Sequence, residues 1–172
     1  MPVDQTSAPK LNAFPFFVKV ENALVVIVGE GDEALAMGLV HYACADDSEV
    51  EARLDRVLGD FPVEVMIDHM GRPNTRGGID APGFQALIRF LKSGRGWSKL
   101  SAPYRTSREA PPYADITKFA HALVAAAPDR LVWGTDWPHV MMEGAMPNTG
   151  IFAELLATWV PDEAVRKRIL VD

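Results

Sequence analysis

Three short stretches of this 172-residue sequence place acidic, basic and aromatic side chains directly after an apolar run. They are Ile67-Asp68-His69-Met70-Gly71-Arg72-Pro73, Lys99-Leu100-Ser101-Ala102-Pro103-Tyr104-Arg105 and Trp133-Gly134-Thr135-Asp136-Trp137-Pro138-His139. Asp136 can take a proton from water, and a dry site beside tryptophans would raise its pKa and strengthen it as a base. His69, when protonated or metal-bound, can stabilise a developing oxyanion, and Arg105 can bind a carboxylate with two donors. Together these residues could supply a base for water, a group that stabilises an oxyanion and a binding group for a substrate carboxylate, which are the groups that hydrolysis of a carbonyl compound requires.

Each of the three stretches follows a predicted strand, so the fold must bring them to one edge of a sheet. The predicted strands are 24–28, 39–44, 63–67, 97–101 and one that begins at 131. The predicted helices are 48–58, one from about Pro82, one capped by Asp115 and stopped by Pro128, 150–159, and one that opens at Asp162. Strands that alternate with helices of this length indicate βαβ units around a parallel sheet.

Several site residues also have a structural interpretation. Asp136 could instead cap a following turn, His69 could satisfy a loop carbonyl, and Arg105 could pair with Glu109. His139 is either a partner of Asp136 or a loop residue.

The loop after the fourth predicted strand holds two further candidates. Tyr104 and Arg108 join Arg105 there, and we predict that all three bind substrate, together with His139. Arg72, between a glycine and a proline, is interpreted as a structural loop residue.

Composition excludes several functional classes. A net charge of -6 and a pI near 5.2 argue against a nucleic-acid partner. The single cysteine, Cys44, permits no internal disulfide and suits a reducing compartment. The sequence shows no signal peptide and no apolar run long enough for a membrane span, so we expect a cytoplasmic protein that acts on a small anionic molecule.

The three stretches resemble, in order and spacing, the metal-dependent-hydrolase-like branch of the amidohydrolase superfamily, in particular 2-pyrone-4,6-dicarboxylate hydrolases and sugar-lactone hydrolases. The resemblance covers residues 38–172, whereas residues 1–37 form an N-terminal segment without a clear match. It implies a (β/α)₈ TIM barrel that hydrolyses a lactone. It also implies that His69 and Asp136 lie in the active site and that Arg105 binds a substrate carboxylate.

Two departures from the family pattern shape the prediction. A complete barrel needs about 250 residues, so residues 38–172 are predicted to form a C-terminal half-barrel. The family also opens with a His-x-His motif, which is absent here, since the histidines are His41, His69, His121 and His139. We therefore predict either no metal cofactor or a divalent metal such as zinc, bound by His69 and Asp136.

The resulting functional prediction is a hydrolase that opens a carboxylate-bearing lactone, in the catabolism of aromatic compounds or sugar acids, with water activated by Asp136. One alternative is a non-catalytic half-barrel that self-associates, possible because a homodimer would cover its open sheet edges. A metal-dependent decarboxylase of the same superfamily is the other alternative.

Overall fold

The computed structural model describes residues 65–139 and 146–171 in full and, before them, the backbone of three strands. In this described part, six strands form one sheet in chain order: β1 (Phe16–Val20), β2 (Ala23–Val28), β3 (Met37–Tyr42), β4 (Val65–Ile67), β5 (Gly96–Leu100) and β6 (Leu131–Trp133). The helices described are α1 (Pro82–Lys92), α2 (Ala114–Ala126), α3 (Thr149–Trp159) and α4 (Glu163–Val171). The helix predicted at 48–58 lies outside the described residues.

The sheet is parallel only in its second part. Strands β3 to β6 are mutually parallel, with Val40 opposite Ile67 and Ser98 opposite Leu131. Strands β1 and β2, and β2 and β3, pair antiparallel, so the expectation of a wholly parallel sheet was wrong for this part. The reason is the length of the connections, since two residues separate β1 from β2 and eight separate β2 from β3. A parallel crossover needs a dozen or more.

Alternation along the strands gives the sheet one buried face. Val65, Ile67, Leu100 and Leu131 are almost fully buried beneath the helices. The opposite face carries half-buried side chains that are paired across the strands. Those pairs are Met66 with Trp97 and Lys99 with Val132.

Helix α1 buries the apolar stripe predicted from its spacing. Pro82 occupies the first turn, where its missing N–H costs nothing, and Gly94, just beyond the helix, has φ +78, a conformation that glycine adopts without strain. Phe84 meets Phe119 of α2 edge to face, with ring centroids 4.9 Å apart. Burial of such side chains contributes about 1.5–3 kcal/mol each, and it fixes the helices that carry the loops of the site.

The later helices begin as the sequence indicates, with one exception. The Asp162 carboxylate accepts from the backbone N–H groups of Ala164 and Val165 at 2.8 and 3.1 Å, as expected for a cap of α4. The predicted capping of α2 by Asp115 was wrong, because Asp115 lies inside the first turn and accepts instead from the backbone N–H of Arg108 at 3.0 Å. Within the described residues, no helix has the length and apolar character needed to cross a membrane.

Candidate active site

Three loops meet at the carboxyl edge of the sheet, which we define as residues 68–72, 101–106 and 134–139, after β4, β5 and β6. These loops contain a concentration of non-glycine residues with positive φ: His69, Met70, Arg72, Ala102, Asp136 and His139, with φ between 47° and 64°. Left-handed backbone at such residues costs on the order of 1 kcal/mol each and persists where the surroundings over-determine it. Strain of this kind clusters at functional sites, which makes the carboxyl edge the candidate active site.

Asp136 is held by two donors from the loop after β5. The Tyr104 hydroxyl donates to Asp136 Oδ2 at 2.6 Å, and Arg105 Nε donates to the same oxygen at 2.8 Å. Burial alone would raise the pKa of Asp136, but these two hydrogen bonds and the nearby charges hold that pKa below its ordinary value. The expectation of a raised pKa was therefore wrong, because hydrogen bonds to the charged form outweigh desolvation. Asp136 is ionised at neutral pH.

Tyr104 is a proton donor in this arrangement. Burial, together with its hydrogen bond to Asp136, raises the pKa of Tyr104 to about 12, so its hydroxyl keeps its proton. Its ring lies edge to face with His139, at 5.6 Å between ring centroids, and the Arg105 guanidinium carbon lies 5.7 Å from its centroid. The predicted substrate-binding residues Tyr104 and Arg105 thus both contact Asp136.

His69 is buried and neutral. Its ring Nδ1 lies 2.8 Å from Ser101 Oγ, and its Nε2 lies 3.1 Å from Asp68 Oδ2 and 3.7 Å from Asp136 Oδ1. Burial lowers the pKa of His69 to about 4 despite the two carboxylates. Desolvation therefore disfavours the imidazolium at neutral pH, and the role of His69 in stabilising an oxyanion when protonated or metal-bound stays a prediction.

The surroundings of His69 include residues that the sequence analysis did not select. Asp68 is buried, also accepts the backbone N–H of His69 at 3.1 Å, and lies 3.4 Å from Lys99 Nζ. Because an ionised carboxylate only accepts, Nε2 carries the proton and Nδ1 accepts from Ser101. Asp68 and Ser101 each follow a strand directly within the three stretches, which was the available signal.

The remaining predicted residues separate into two groups. His139 is buried beside Tyr104, with Nδ1 3.4 Å from the Tyr104 hydroxyl, and its backbone N–H donates to Asp136 O at 2.7 Å. Among the residues that the structure describes, His139 Nε2 has no hydrogen-bond partner. Arg108 is exposed, and the structure does not bring it into this cluster.

The described side chains do not form a complete metal site. A catalytic zinc ion needs three protein ligands and an open position. The fully described residues contain no group of three or more His, Cys, Asp or Glu side chains that could hold a metal ion. His69 and Asp136 remain two candidate ligands, and His69 directs the proton on Nε2 towards Asp68.

The parallel strands and the polar carboxyl edge define an α/β protein whose candidate active site is built from the loops that follow its strands. Residues 37–172 match the family model described as amidohydrolase, and the chain belongs to this family. It is 41% identical to 4-sulfomuconolactone hydrolase of Hydrogenophaga intermedia, with 67% of this chain and 39% of that protein covered. It is 35% identical to 2-pyrone-4,6-dicarboxylate hydrolase of Comamonas testosteroni (65% and 40% covered), and 40% identical to D-galactarolactone isomerase of Agrobacterium fabrum (62% and 37% covered).

Solved structures also share the fold of this chain. An apo crystal structure of a protein from Agrobacterium tumefaciens is 36% identical, with a TM-score of 0.62, and the match covers 73% of this chain and 45% of that one. A zinc-bound amidohydrolase from Burkholderia multivorans, 20% identical with a TM-score of 0.56, shares the fold over 71% of this chain and 46% of its own. The chain thus spans about two-fifths of the length of the curated relatives that it matches.

Proposed function

We propose that this chain contributes the part of a lactone-hydrolase active site that contains Asp136. The proposed substrate is a lactone that bears carboxylate or sulfonate groups. The supporting observation is the Asp136 carboxylate, which is ionised, oriented by Tyr104 and Arg105, and 3.7 Å from the buried His69 ring. The names of the relatives support the substrate class, since all three refer to lactones or pyrones and two specify sulfo or dicarboxylate groups.

In the proposed reaction, Asp136 accepts a proton from water as the oxygen of that water attacks the lactone carbonyl. The C–O bond of the ring then breaks, and the ring oxygen leaves as a hydroxyl after it takes up the proton from Asp136, which restores the Asp136 carboxylate. His69 is a positioning residue beside Asp136, since its neutral ring donates from Nε2 to Asp68 and accepts at Nδ1 from Ser101. A lowered pKa makes Asp136 a weaker base but keeps it ionised across the neutral range.

We further propose that residues 37–172 form part of a (β/α)₈ barrel. Support comes from the four parallel strands β3 to β6, from helices packed on one face of the sheet, and from the match to about 45% of a solved relative. A cavity of about 490 Å³ adjoins strands β4 to β6 and is lined by Met66, Trp97 and Val132 and by the C-terminal end of α4. In a closed barrel, the sheet face that carries Met66, Trp97 and Val132 would point to the interior.

The test is hydrolysis of 2-pyrone-4,6-dicarboxylate by the purified chain, followed by ultraviolet absorbance, with 4-sulfomuconolactone and D-galactarolactone as further substrates. The Asp136→Asn variant should lose turnover while its circular dichroism stays close to that of the unchanged chain, although its Tm should fall because the charged partner of Tyr104 and Arg105 is lost. Asp80→Asn, which alters an exposed carboxylate outside the three loops that define the carboxyl edge, is the matched control and should retain activity. Full activity in Asp136→Asn would contradict the proposed role of Asp136.

A further inference from the structure

A groove adjoins the candidate active site between the loops that follow β4 and β5. Its volume is about 250 Å³, and its lining consists of Arg72, Pro73, Asn74, Thr75, Arg105 and Thr106. None of these six residues is acidic, and two are arginines. Sites for whole small molecules occupy about 300–1,000 Å³, so this groove suits a substituent of a larger ligand.

Arg72 gives the groove a positive charge. Across residues 65–139 and 146–171, no carboxylate pairs with the Arg72 guanidinium. Its backbone is left-handed, with φ 49° and ψ 59°, and its N–H donates to the carbonyl of His69 at 2.9 Å. This bond ties the backbone of Arg72 to that of His69, and from there the exposed Arg72 side chain lines the groove beside the active site.

The loop after β5 supplies the other wall. Arg105 lines the groove and also donates to Asp136, so the groove and the candidate base share one residue. Thr106 lines the same wall, but its hydroxyl oxygen is inaccessible to solvent, so the polar character of this wall comes from Arg105.

We propose that this groove is the subsite for a second anionic group of the substrate, a carboxylate or sulfonate, and that Arg72 determines the preference for doubly anionic lactones. The proposal rests on the proposed lactone-hydrolase function. A guanidinium matches the geometry of such a group through two parallel hydrogen bonds. It assigns the second arginine of the site to Arg72, which lines the groove and which the sequence analysis treated as structural, and not to Arg108, which does not line it.

Binding tests the subsite independently of turnover. Isophthalate carries two carboxylates on one ring and benzoate carries one, so isothermal titration calorimetry with both measures the contribution of the second anion. The chain should bind isophthalate more tightly than benzoate by about 10- to 100-fold, and Arg72→Gln should remove most of this preference. Arg76→Gln removes a charge from an exposed side chain of the same loop that does not line the groove, and it should preserve the preference.

Turnover then separates the two proposals. With 2-pyrone-4,6-dicarboxylate, Arg72→Gln should lower kcat/KM by about 10- to 100-fold, whereas kcat/KM for at least one 2-pyrone monocarboxylate should stay within about twofold. If isophthalate preference depends on Arg72 but no lactone is hydrolysed, the subsite stands and the hydrolase proposal fails. Equal affinities for isophthalate and benzoate, or a preference that responds to Arg108→Gln and not to Arg72→Gln, would overturn the subsite.

Discussion

Replacing Tyr104 with phenylalanine isolates the hydrogen bond that orients the candidate base. The change removes one hydroxyl that donates to Asp136 Oδ2 at 2.6 Å and keeps the ring that packs against His139. A hydrogen bond to a charged group contributes about 1.5–3 kcal/mol. The Asp136 side chain is only 14% exposed, so water replaces the lost donor poorly. We therefore expect Tyr104→Phe to lower the free energy of unfolding by about 1.5–3 kcal/mol at pH 7.

Urea unfolding across pH measures this loss and its origin. The pKa of Asp136 is depressed in the folded state, so its stabilisation is fully present above the unfolded value of 3.8 and is lost as pH falls through the lower folded value. The difference between Tyr104→Phe and the unchanged chain should therefore shrink as pH falls below 3.8. Tyr113→Phe is the control, because Tyr113 is also buried but has no such carboxylate partner among the described residues. Equal losses in both variants, or a difference that does not change with pH, would refute the reasoning.

Three other outcomes are expected. The pKa of His69 is about 4, below the ordinary value of 6.5, so the free energy of unfolding should fall by up to roughly 3 kcal/mol as pH decreases from 6.5 to 4. NMR resonances of the His69 ring that titrate near 6.5 would contradict this. Gly96→Ala should destabilise the chain by about 1–3 kcal/mol in thermal unfolding, because the added Cβ would lie 2.4 Å from the ring of Phe90; an unchanged Tm would show that the ring moves freely. The predicted homodimer should sediment at twice the monomer mass in analytical ultracentrifugation, and a monomer at all concentrations would count against it.

The later strands and helices were predictable because their apolar spacing is set by burial on one face. The prediction of α1 from Pro82 is confirmed, and the predicted strand at 97–101 appears as Gly96–Leu100. The antiparallel start was not predicted. The apolar residues of β1 follow Pro15 and offered no clear alternation, and strand direction depends on connection length, which hydrophobic spacing does not report.

The members of the candidate site could be selected from sequence, but their charge states could not. Loops after parallel strands must meet at one edge, which is why His69, Arg105 and Asp136 come together. Their pKa values depend on distances of a few ångströms and on burial, neither of which the sequence reports. Arg108 lies three residues beyond Arg105 and appeared equivalent in sequence, yet it is exposed because the chain there turns towards Asp115.

Because Arg105 is bonded to Asp136 in the free protein, the strength of the candidate base depends on what else Arg105 binds. A substrate anion that draws Arg105 away removes one of the two donors that depress the pKa of Asp136, so the carboxylate becomes more basic when a substrate arrives. Such a catalyst would show two different apparent pKa values on the acidic side of its pH–rate profiles. The pKa in the kcat/KM profile would report the free protein. The pKa in the kcat profile reports the complex and would be higher.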